Sequence, residues 1–325
     1  MRSLPSVAGA ACLAVLTAAF TVAPASAAGD PGAEGFTIED PRIKESSGLV
    51  ASRVHPGIYW THNDSDDGAF LYAVDARSGK TVARLTLTGV GRPRDVEAIS
   101  MGPDGDLYVG DIGDNLGGTW NHVWIYRLPE PKKLVDRTVK AVQYVVKYAD
   151  GARDAEALMV HPKTGRVYIA DKKQDGNGSL YVGPEKLSPS GTNVFRRVGP
   201  IDLWVTDGAF SPDGEHLALR GYFGGVHYAW KKGKPKRVDQ LRVPLQRQGE
   251  SLAWTPDGKT LLYGSEGLAS DVEPREAPGG AAAEAGKGGT AAAGDGKDGG
   301  GISTGFVLLA LGVLAFFGVR RARRG

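Results

Sequence analysis

The sequence is almost free of cysteine. Its single cysteine, Cys12, lies in an N-terminal segment that is predicted to be removed on export. A mature chain without cysteine excludes a disulfide framework, a thiol nucleophile and a zinc–thiolate site.

Other common signatures are missing as well. The chain has no Gly-x-Ser-x-Gly elbow, no His-Glu-x-x-His pair, no Walker loop and no Rossmann glycine pattern. Helical periodicity is absent outside the two terminal segments. The formal net charge of +2 includes a basic C-terminal tail, so nothing indicates a nucleic-acid-binding surface.

The N-terminal segment, residues 1–28, has the features of an export signal. Arg2 supplies the positive start, residues 7–22 are almost wholly apolar, and the small residues 25–28 form a cleavage site. We therefore expect the rest of the chain to lie outside the cytoplasm.

The C-terminal end has three parts. Residues 274–301 are mostly glycine, alanine and charged residues and are predicted to be a flexible linker. Residues 302–319 carry no charge and, at ~1.5 Å per residue, form a helix just long enough for a ~30 Å hydrocarbon layer. The basic tail, residues 320–325, marks the cytoplasmic side. A cell-wall sorting signal is the alternative, but residues 301–305 lack the Leu-Pro or Leu-Ala start of such a motif.

Between these ends, residues 35–273 repeat one hairpin. Each copy has two apolar or β-branched runs around a turn in which proline presets φ and glycine supplies a positive φ. The five turn prolines recur about every 50 residues: Pro56, Pro103, Pro162, Pro212 and Pro256. More alternating sequence after each hairpin predicts two further strands per repeat.

Four antiparallel strands per repeat are typical of a β-propeller blade. The sequence therefore predicts an all-β fold with five four-stranded blades; six blades and a β-sandwich are the alternatives. The fifth repeat is short of sequence for its outer strands. Residues 35–43 are predicted to supply the missing strand and close the ring.

Several short motifs resemble secreted bacterial propellers. The turns "SPDG", "TPDG" and "GPDG" are similar to those of WD-repeat-like and lactonase-like propellers, and "HNDS", "RDVEAI" and "VGDIGDN" resemble the esterase-like phytase and gluconolactonase groups. This resemblance implies calcium bound by acidic residues in the central channel. The last two repeats depart from the pattern, with "TDGAF" and "GESLA".

The repeats place acidic residues at one edge. The first strand of a blade lines the channel, so the residues that open it are expected to ring one mouth: Ser47, Glu97, Glu156, Asp207 and Glu250. Asp95 and Glu97 share one strand face, as do Asp154 and Glu156. A carboxylate ring suits a hard cation such as calcium. The candidate metal ligands are Asp64, Glu97, Asp111, Asp154, Glu156 and Asp171. Ion pairs with nearby arginine and lysine are the alternative that the pattern favours.

The candidate ligand-binding residues are Arg94, Asp95, Arg153, Lys172 and Arg220. His62 is the single histidine retained as a candidate acid or base. The leading interpretation is a membrane-tethered extracellular propeller that binds a ligand or partner protein at the channel mouth, and the residues favour binding over catalysis. A calcium-dependent hydrolase of phosphoesters or lactones is the first alternative. A structural envelope protein is the second.

Overall fold

The computed structural model describes residues 30–65, 67–114 and 116–278. The predicted signal segment 1–28, most of the predicted linker, the predicted helix 302–319 and the tail 320–325 lie outside these residues. No helix within the described residues is long and apolar enough to cross a bilayer. This part of the chain is all-β apart from one short 3-10 helix, Pro31–Glu34.

The described chain begins with the 3-10 helix and a two-residue strand, β1 (Phe36–Thr37), and continues as five units. The first has β2 (Ser46–Ala51), β3 (Ile58–Asn63), β4 (Phe70–Asp75) and β5 (Thr81–Thr88). The second has β6 (Val96–Met101), β7 (Asp106–Asp111), β8 (Val123–Pro129), β9 (Arg137–Lys140) and β10 (Val142–Tyr148). The third has β11 (Ala155–Val160), β12 (Val167–Asp171), β13 (Asn177–Val182) and β14 (Thr192–Asp202). The fourth has β15 (Val205–Phe210), β16 (His216–Gly221), β17 (Gly225–Lys231) and β18 (Lys234–Leu241). The fifth has β19 (Gly249–Trp254), β20 (Thr260–Ser265) and β21 (Asp271–Glu276).

Apart from β9, which pairs with β5 of the first unit, the strands of each unit form an antiparallel sheet, here called a blade. The first strands of the five blades pack side by side in the order β2, β6, β11, β15 and β19, and β19 returns to β2. An apolar cluster fills each of the five boundaries between neighbouring blades. This closed ring of five sheets supports the predicted propeller, and the inner strands surround its channel.

The ring closes as the sequence predicts. β1 pairs antiparallel with β21, so the chain start supplies the fourth strand of the last blade. Outer strands add two further connections, because β10 pairs in parallel with β14 and β9 with β5. β21 ends at Glu276, so its last three residues come from the stretch that the sequence assigns to the linker.

The inner hairpins turn on glycine as expected. In all five, the glycine after the turn proline has a positive φ, between 67° and 81°: Gly57, Gly105, Gly165, Gly214 and Gly258. Only glycine adopts this backbone conformation without a steric cost. The repeated turns place the first strand of every blade in the same orientation, with its start at one end of the channel.

Candidate metal centre at the channel mouth

Every inner strand contains a β-bulge close to its start. In each hairpin the pairing register shifts by an extra residue on the inner strand. A bulge leaves a residue unpaired and re-aims side chains. The bulges contain Ser47 and Gly48 in blade 1, Glu97 in blade 2, Glu156 in blade 3, Thr206 in blade 4, and Glu250 and Ser251 in blade 5. All of these residues are buried.

The prediction for Asp207 is wrong by one residue. Val205 pairs with Gly221 and Asp207 with Arg220, so Thr206 takes the position of Glu97 and Glu156. Asp207 instead accepts hydrogen bonds from the Leu252 and Gly208 N–H groups, both at 2.7 Å. The repeats align on their acidic residues in the sequence. The hydrogen-bond pairing of the two strands, however, determines which residue forms the bulge.

Three carboxylates meet where blades 1 and 2 adjoin. Asp64 follows the last residue of β3, while Asp95 and Glu97 flank Val96 at the start of β6. The Val96 N–H donates to the Asp64 carbonyl at 2.9 Å and holds the two blades in register. One oxygen of each carboxylate lies within 4.8 Å of the other two, and all three residues are buried. We call this group the acidic triplet.

Gly113 and Ser47 border the acidic triplet. A Cβ atom at Gly113 would lie 2.6 Å from both Asp95 Oδ2 and Glu97 Oε1, so these two oxygens sit together over a glycine backbone. The Ser47 hydroxyl donates to Glu97 Oε2 at 3.1 Å. The close approach of both carboxylates depends on the missing side chain at position 113.

The electrostatics of the triplet are unfavourable without a cation. Burial raises the pKa of Glu97 well above its ordinary 4.5, and the charges of Asp64, Glu156 and Asp95 raise it further, while Lys172 opposes them. Charges removed from water are tolerated when they are paired or bind a metal. Three converging carboxylates therefore form a candidate centre for a divalent cation.

The corresponding carboxylates of blade 3 already have a cation. The Lys172 ammonium forms an ion pair with Glu156, and both side chains are almost fully buried. Burial lowers the pKa of Lys172, but the charges of Glu156, Asp154, Glu97 and Glu250 together raise it well above its ordinary value. Asp154 is itself held by the Asp114 N–H at 2.9 Å, and burial raises its pKa.

Glu250 completes the ring from blade 5. Its Oε1 accepts a hydrogen bond from the Tyr222 hydroxyl at 2.9 Å. Its Oε2 is buried and has no hydrogen-bond partner among the described residues. Burial raises the pKa of Glu250, with Lys172 the largest opposing influence.

Four of the six predicted metal ligands lie outside the triplet: Asp154 and Glu156 of blade 3, and also Asp111 and Asp171. Asp111 accepts hydrogen bonds from the Arg94 and Asp95 N–H groups at 3.1 and 3.0 Å. Asp171 accepts one from the Ser179 N–H and lies 3.8 Å from Arg153 Nε. Both carboxylates fasten strand ends of their own blades.

The predicted binding arginines are held by neighbouring side chains. The Arg94 guanidinium lies 4.0 Å from the ring centre of Trp120 and 3.7 Å from that of Trp124. Arg153 pairs with Asp150 at 3.0 Å. In the two Arg-Asp pairs, the arginine anchors a blade and the aspartate faces the mouth.

Arg220 is fully enclosed between blades 4 and 5. Its Nη1 donates to Gln246 Oε1, the Ser251 carbonyl and the Gly264 carbonyl at 3.2, 3.1 and 3.0 Å. Burial lowers its pKa, although the charge of Glu250 opposes that change. Arg220 thus connects two blades from a fully buried position.

His62 is buried against the inner strand of blade 1. A Cβ atom at Gly48 would lie 2.6 Å from His62 Nε2, so the ring packs directly over that glycine. Burial lowers the pKa of His62 to about 4, against the opposing influence of the Asn63 carbonyl and of the Asp64 and Asp67 charges. At neutral pH this imidazole is uncharged, and 1% of the residue is exposed.

Three contributors were missed by sequence reasoning: Gly113, Thr206 and Tyr222. Thr206 is identified by the pairing register of β15 and β16, which a single sequence does not reveal. The contacts of Gly113 and Tyr222 come from loops whose course the repeats do not predict.

The opposite end of the channel differs in chemistry. A cavity of about 330 Å³ opens there, lined by residues from all five inner hairpins. Its walls are largely apolar and include Ile99, Met101, Phe210 and Trp254, with Arg53 as the charged residue in the lining. No carboxylate lines this cavity among the described residues, so the carboxylates of the channel lie at the mouth with the triplet.

Comparisons with known proteins give limited information. No protein-family model matches the chain. Over 69 residues it is 38% identical to dipeptidyl-peptidase 5 from two strains of Aspergillus fumigatus. That stretch is 18% of this chain and 9% of the enzyme's length, so the chain spans under a tenth of these curated relatives.

Solved structures with some similarity include three enzymes. The PQQ-bound aldose sugar dehydrogenase of Streptomyces coelicolor is 13% identical, with a TM-score of 0.43 over 75% of this chain and 99% of that one. A luciferin-regenerating enzyme is 15% identical, with a TM-score of 0.44 over 73% of this chain and 79% of the enzyme's chain. A putative 6-phosphogluconolactonase of Bacteroides uniformis is 11% identical, with a TM-score of 0.41 over 73% and 68%. At these values the alignments give no argument about activity, and the propeller rests on strand topology.

Proposed function

We propose that this protein is a five-bladed propeller that binds a divalent cation, calcium, at the acidic triplet and uses the ion to hold an extracellular ligand. The acidic triplet carries the proposal, because Asp64, Asp95 and Glu97 bring buried carboxylate oxygens within 4.8 Å of one another. Calcium prefers oxygen ligands of this kind.

The triplet leaves room in the coordination sphere. Calcium takes 6–8 oxygen ligands, and three carboxylates supply only part of that number. The remaining positions go to water or to oxygens of a bound molecule. The ligand class that fits is therefore one with carboxylate, phosphate or vicinal hydroxyl oxygens, held by the ion at the mouth.

We further propose that the propeller is presented outside the cell. The export signal in residues 1–28 and the apolar segment 302–319 with its basic tail support this location. Protease treatment of intact cells is expected to degrade the propeller while a cytoplasmic marker survives. Protection of the propeller in intact cells would contradict this topology.

Calcium titration of the purified full-length protein tests the proposed function. Equilibrium dialysis is expected to show one bound ion per chain, and calcium is expected to raise the melting temperature. Replacing Glu97 with glutamine is expected to abolish both effects. Absence of binding in the wild type would overturn the proposal, and calcium-dependent turnover of phosphoesters or lactones would overturn the non-catalytic interpretation.

A further inference from the structure

The start of blade 3 repeats the start of blade 2 at the level of single residues. Asp154 and Glu156 flank Ala155 as Asp95 and Glu97 flank Val96, and the bulge falls at the glutamate in both blades. Two neighbouring blades therefore present the same pair of buried carboxylates to the mouth.

A second similarity is a backbone hydrogen bond made just beyond the end of the second strand. The Lys172 N–H donates to the Asp154 carbonyl at 2.8 Å, and the Gly113 N–H donates to the Asp95 carbonyl at 3.1 Å. Lys172 and Gly113 thus make the same backbone hydrogen bond in their blades, although Lys172 is one residue past Asp171, the partner of Ala155, and Gly113 is two residues past Asp111, the partner of Val96. In blade 2 a side chain from this position would meet Asp95 and Glu97 at once. In blade 3 that side chain is present, and its ammonium binds Glu156.

We propose that Lys172 is a built-in cation that takes the place of a second metal ion and limits the channel mouth to a single divalent ion. The Gly113 position leaves the blade 2 carboxylates to an external ion, whereas Lys172 supplies the charge at blade 3. This inference rests on the proposed function in one respect: the expected number of bound ions assumes that the acidic triplet binds one. The exclusion of metal from Glu156 and Asp154 follows from Lys172 itself.

The charges that face Lys172 come from three blades. Glu156 and Asp154 belong to its own blade, Glu97 to blade 2 and Glu250 to blade 5, and all four act on the ammonium. Glu250 Oε2 is buried without a hydrogen-bond partner among the described residues, and Lys172 is the largest influence that opposes the rise in the pKa of Glu250. Removal of the ammonium leaves the buried carboxylate of Glu156 without its cation, and carboxylate oxygens are ligands that calcium prefers.

The test replaces Lys172 with methionine, which is unbranched, neutral and of similar length. Equilibrium dialysis of the full-length protein against radioactive calcium chloride is expected to show one ion in the wild type and two in the Lys172→Met variant. The Lys172→Arg variant keeps the positive charge and is expected to bind one ion. Lys173→Met, which changes a neighbouring and more exposed lysine, is the matched control and is expected to bind one ion.

The outcomes separate this inference from the proposed function. One ion in both the wild type and Lys172→Met overturns the inference and leaves the blade 2 site in place. No ion in the wild type and one in Lys172→Met overturns the proposed function, while the exclusion by Lys172 stands. No ion in either protein overturns both.

A comparison with a double variant keeps the test decisive if Lys172→Met does not fold. Lys172→Met is expected to fold in millimolar calcium and to lose stability in its absence, because Glu156 is then buried without a cation. The double variant Lys172→Met, Glu156→Gln removes both charges and is expected to fold without calcium and to bind one ion. If calcium fails to restore Lys172→Met while the double variant folds, an external ion cannot replace the ammonium and the inference is wrong.

Discussion

Glu97 stands at the centre of the acidic triplet and carries the strongest prediction at the residue scale. Glu97→Gln removes one negative charge from a site where burial and like charges raise the pKa of that carboxyl. We expect loss of calcium binding and, without calcium, a melting temperature ~2–4 °C higher, equivalent to about 1 kcal/mol. Calorimetry measures both. Glu185→Gln, at a side chain that is 90% exposed, is the control and should change neither.

Gly113 gives a steric test of the same site. A Cβ atom at this position would lie 2.6 Å from oxygens of both Asp95 and Glu97, so Gly113→Ala must push the carboxylates apart. We expect at least a roughly tenfold loss of calcium affinity, about 1.4 kcal/mol. Gly199→Ala, where no atom lies within 4 Å of the added Cβ, is the control. Unchanged affinity in Gly113→Ala would show that the ion binds elsewhere.

His62 makes the stability of the fold depend on pH. Burial lowers its pKa to about 4 from 6.5, so the unfolded chain binds the proton more readily than the folded one. The resulting stability is fully present above pH 6.5 and is lost as the pH falls towards 4, by about 2–4 kcal/mol. Urea unfolding at pH 7.5 and 4.5 measures this loss. His62→Gln should show a smaller loss, and an equal loss in both proteins would exclude His62 as its source.

At the scale of elements, the two-residue strand β1 closes the ring of blades. It covers the free edge of β21 and ties the start of the described chain to the last blade. An uncovered edge strand pairs with other chains. Deleting residues 30–37 is expected to lower the melting temperature by several degrees and to produce oligomers in light scattering. Thr37→Ala, which keeps the backbone, is the control; a monomer of wild-type stability after the deletion would mean that β1 does not close the ring.

The inner strands place the functional side chains through their bulges. Without a bulge, Glu97 would follow the alternation of β6 and point between the blades rather than into the mouth. Blade 4 uses the same device with Thr206, whose hydroxyl donates to the Gly249 and Glu250 carbonyls at 3.0 and 3.2 Å. The ring of bulges is therefore structural in origin, and three of its five positions carry a carboxylate.

At the scale of the whole molecule, a bound cation should act as a clamp between blades. Asp64 comes from blade 1, whereas Asp95 and Glu97 come from blade 2. At a calcium concentration of about 100 Kd, binding is expected to stabilise the fold by about 2.7 kcal/mol. Hydrogen exchange should slow most in β2, β3, β6 and β7. Equal slowing of hydrogen exchange in all five blades would contradict a clamp at this boundary, and so would unchanged exchange rates.

Much of the fold was predictable because its signals are local. Pro103 with Gly105 and Pro212 with Gly214 specify turns through their own backbone preferences, and repetition of such turns predicts blades. The acidic edge followed from strand polarity alone. Asp207 was misplaced because the choice between Thr206 and Asp207 depends on pairing with β16, which no local preference specifies.

The sequence by itself determined the repeated hairpins, the glycine turns, the closing strand and the concentration of carboxylates at one mouth, because each depends on residue type and spacing. Only the tertiary structure decided which carboxylates meet. Asp64 and Glu97 belong to different blades, and their approach depends on the bulges and on Gly113. It also placed Lys172 over Glu156 and enclosed Arg220, since both outcomes depend on how neighbouring blades pack around the channel.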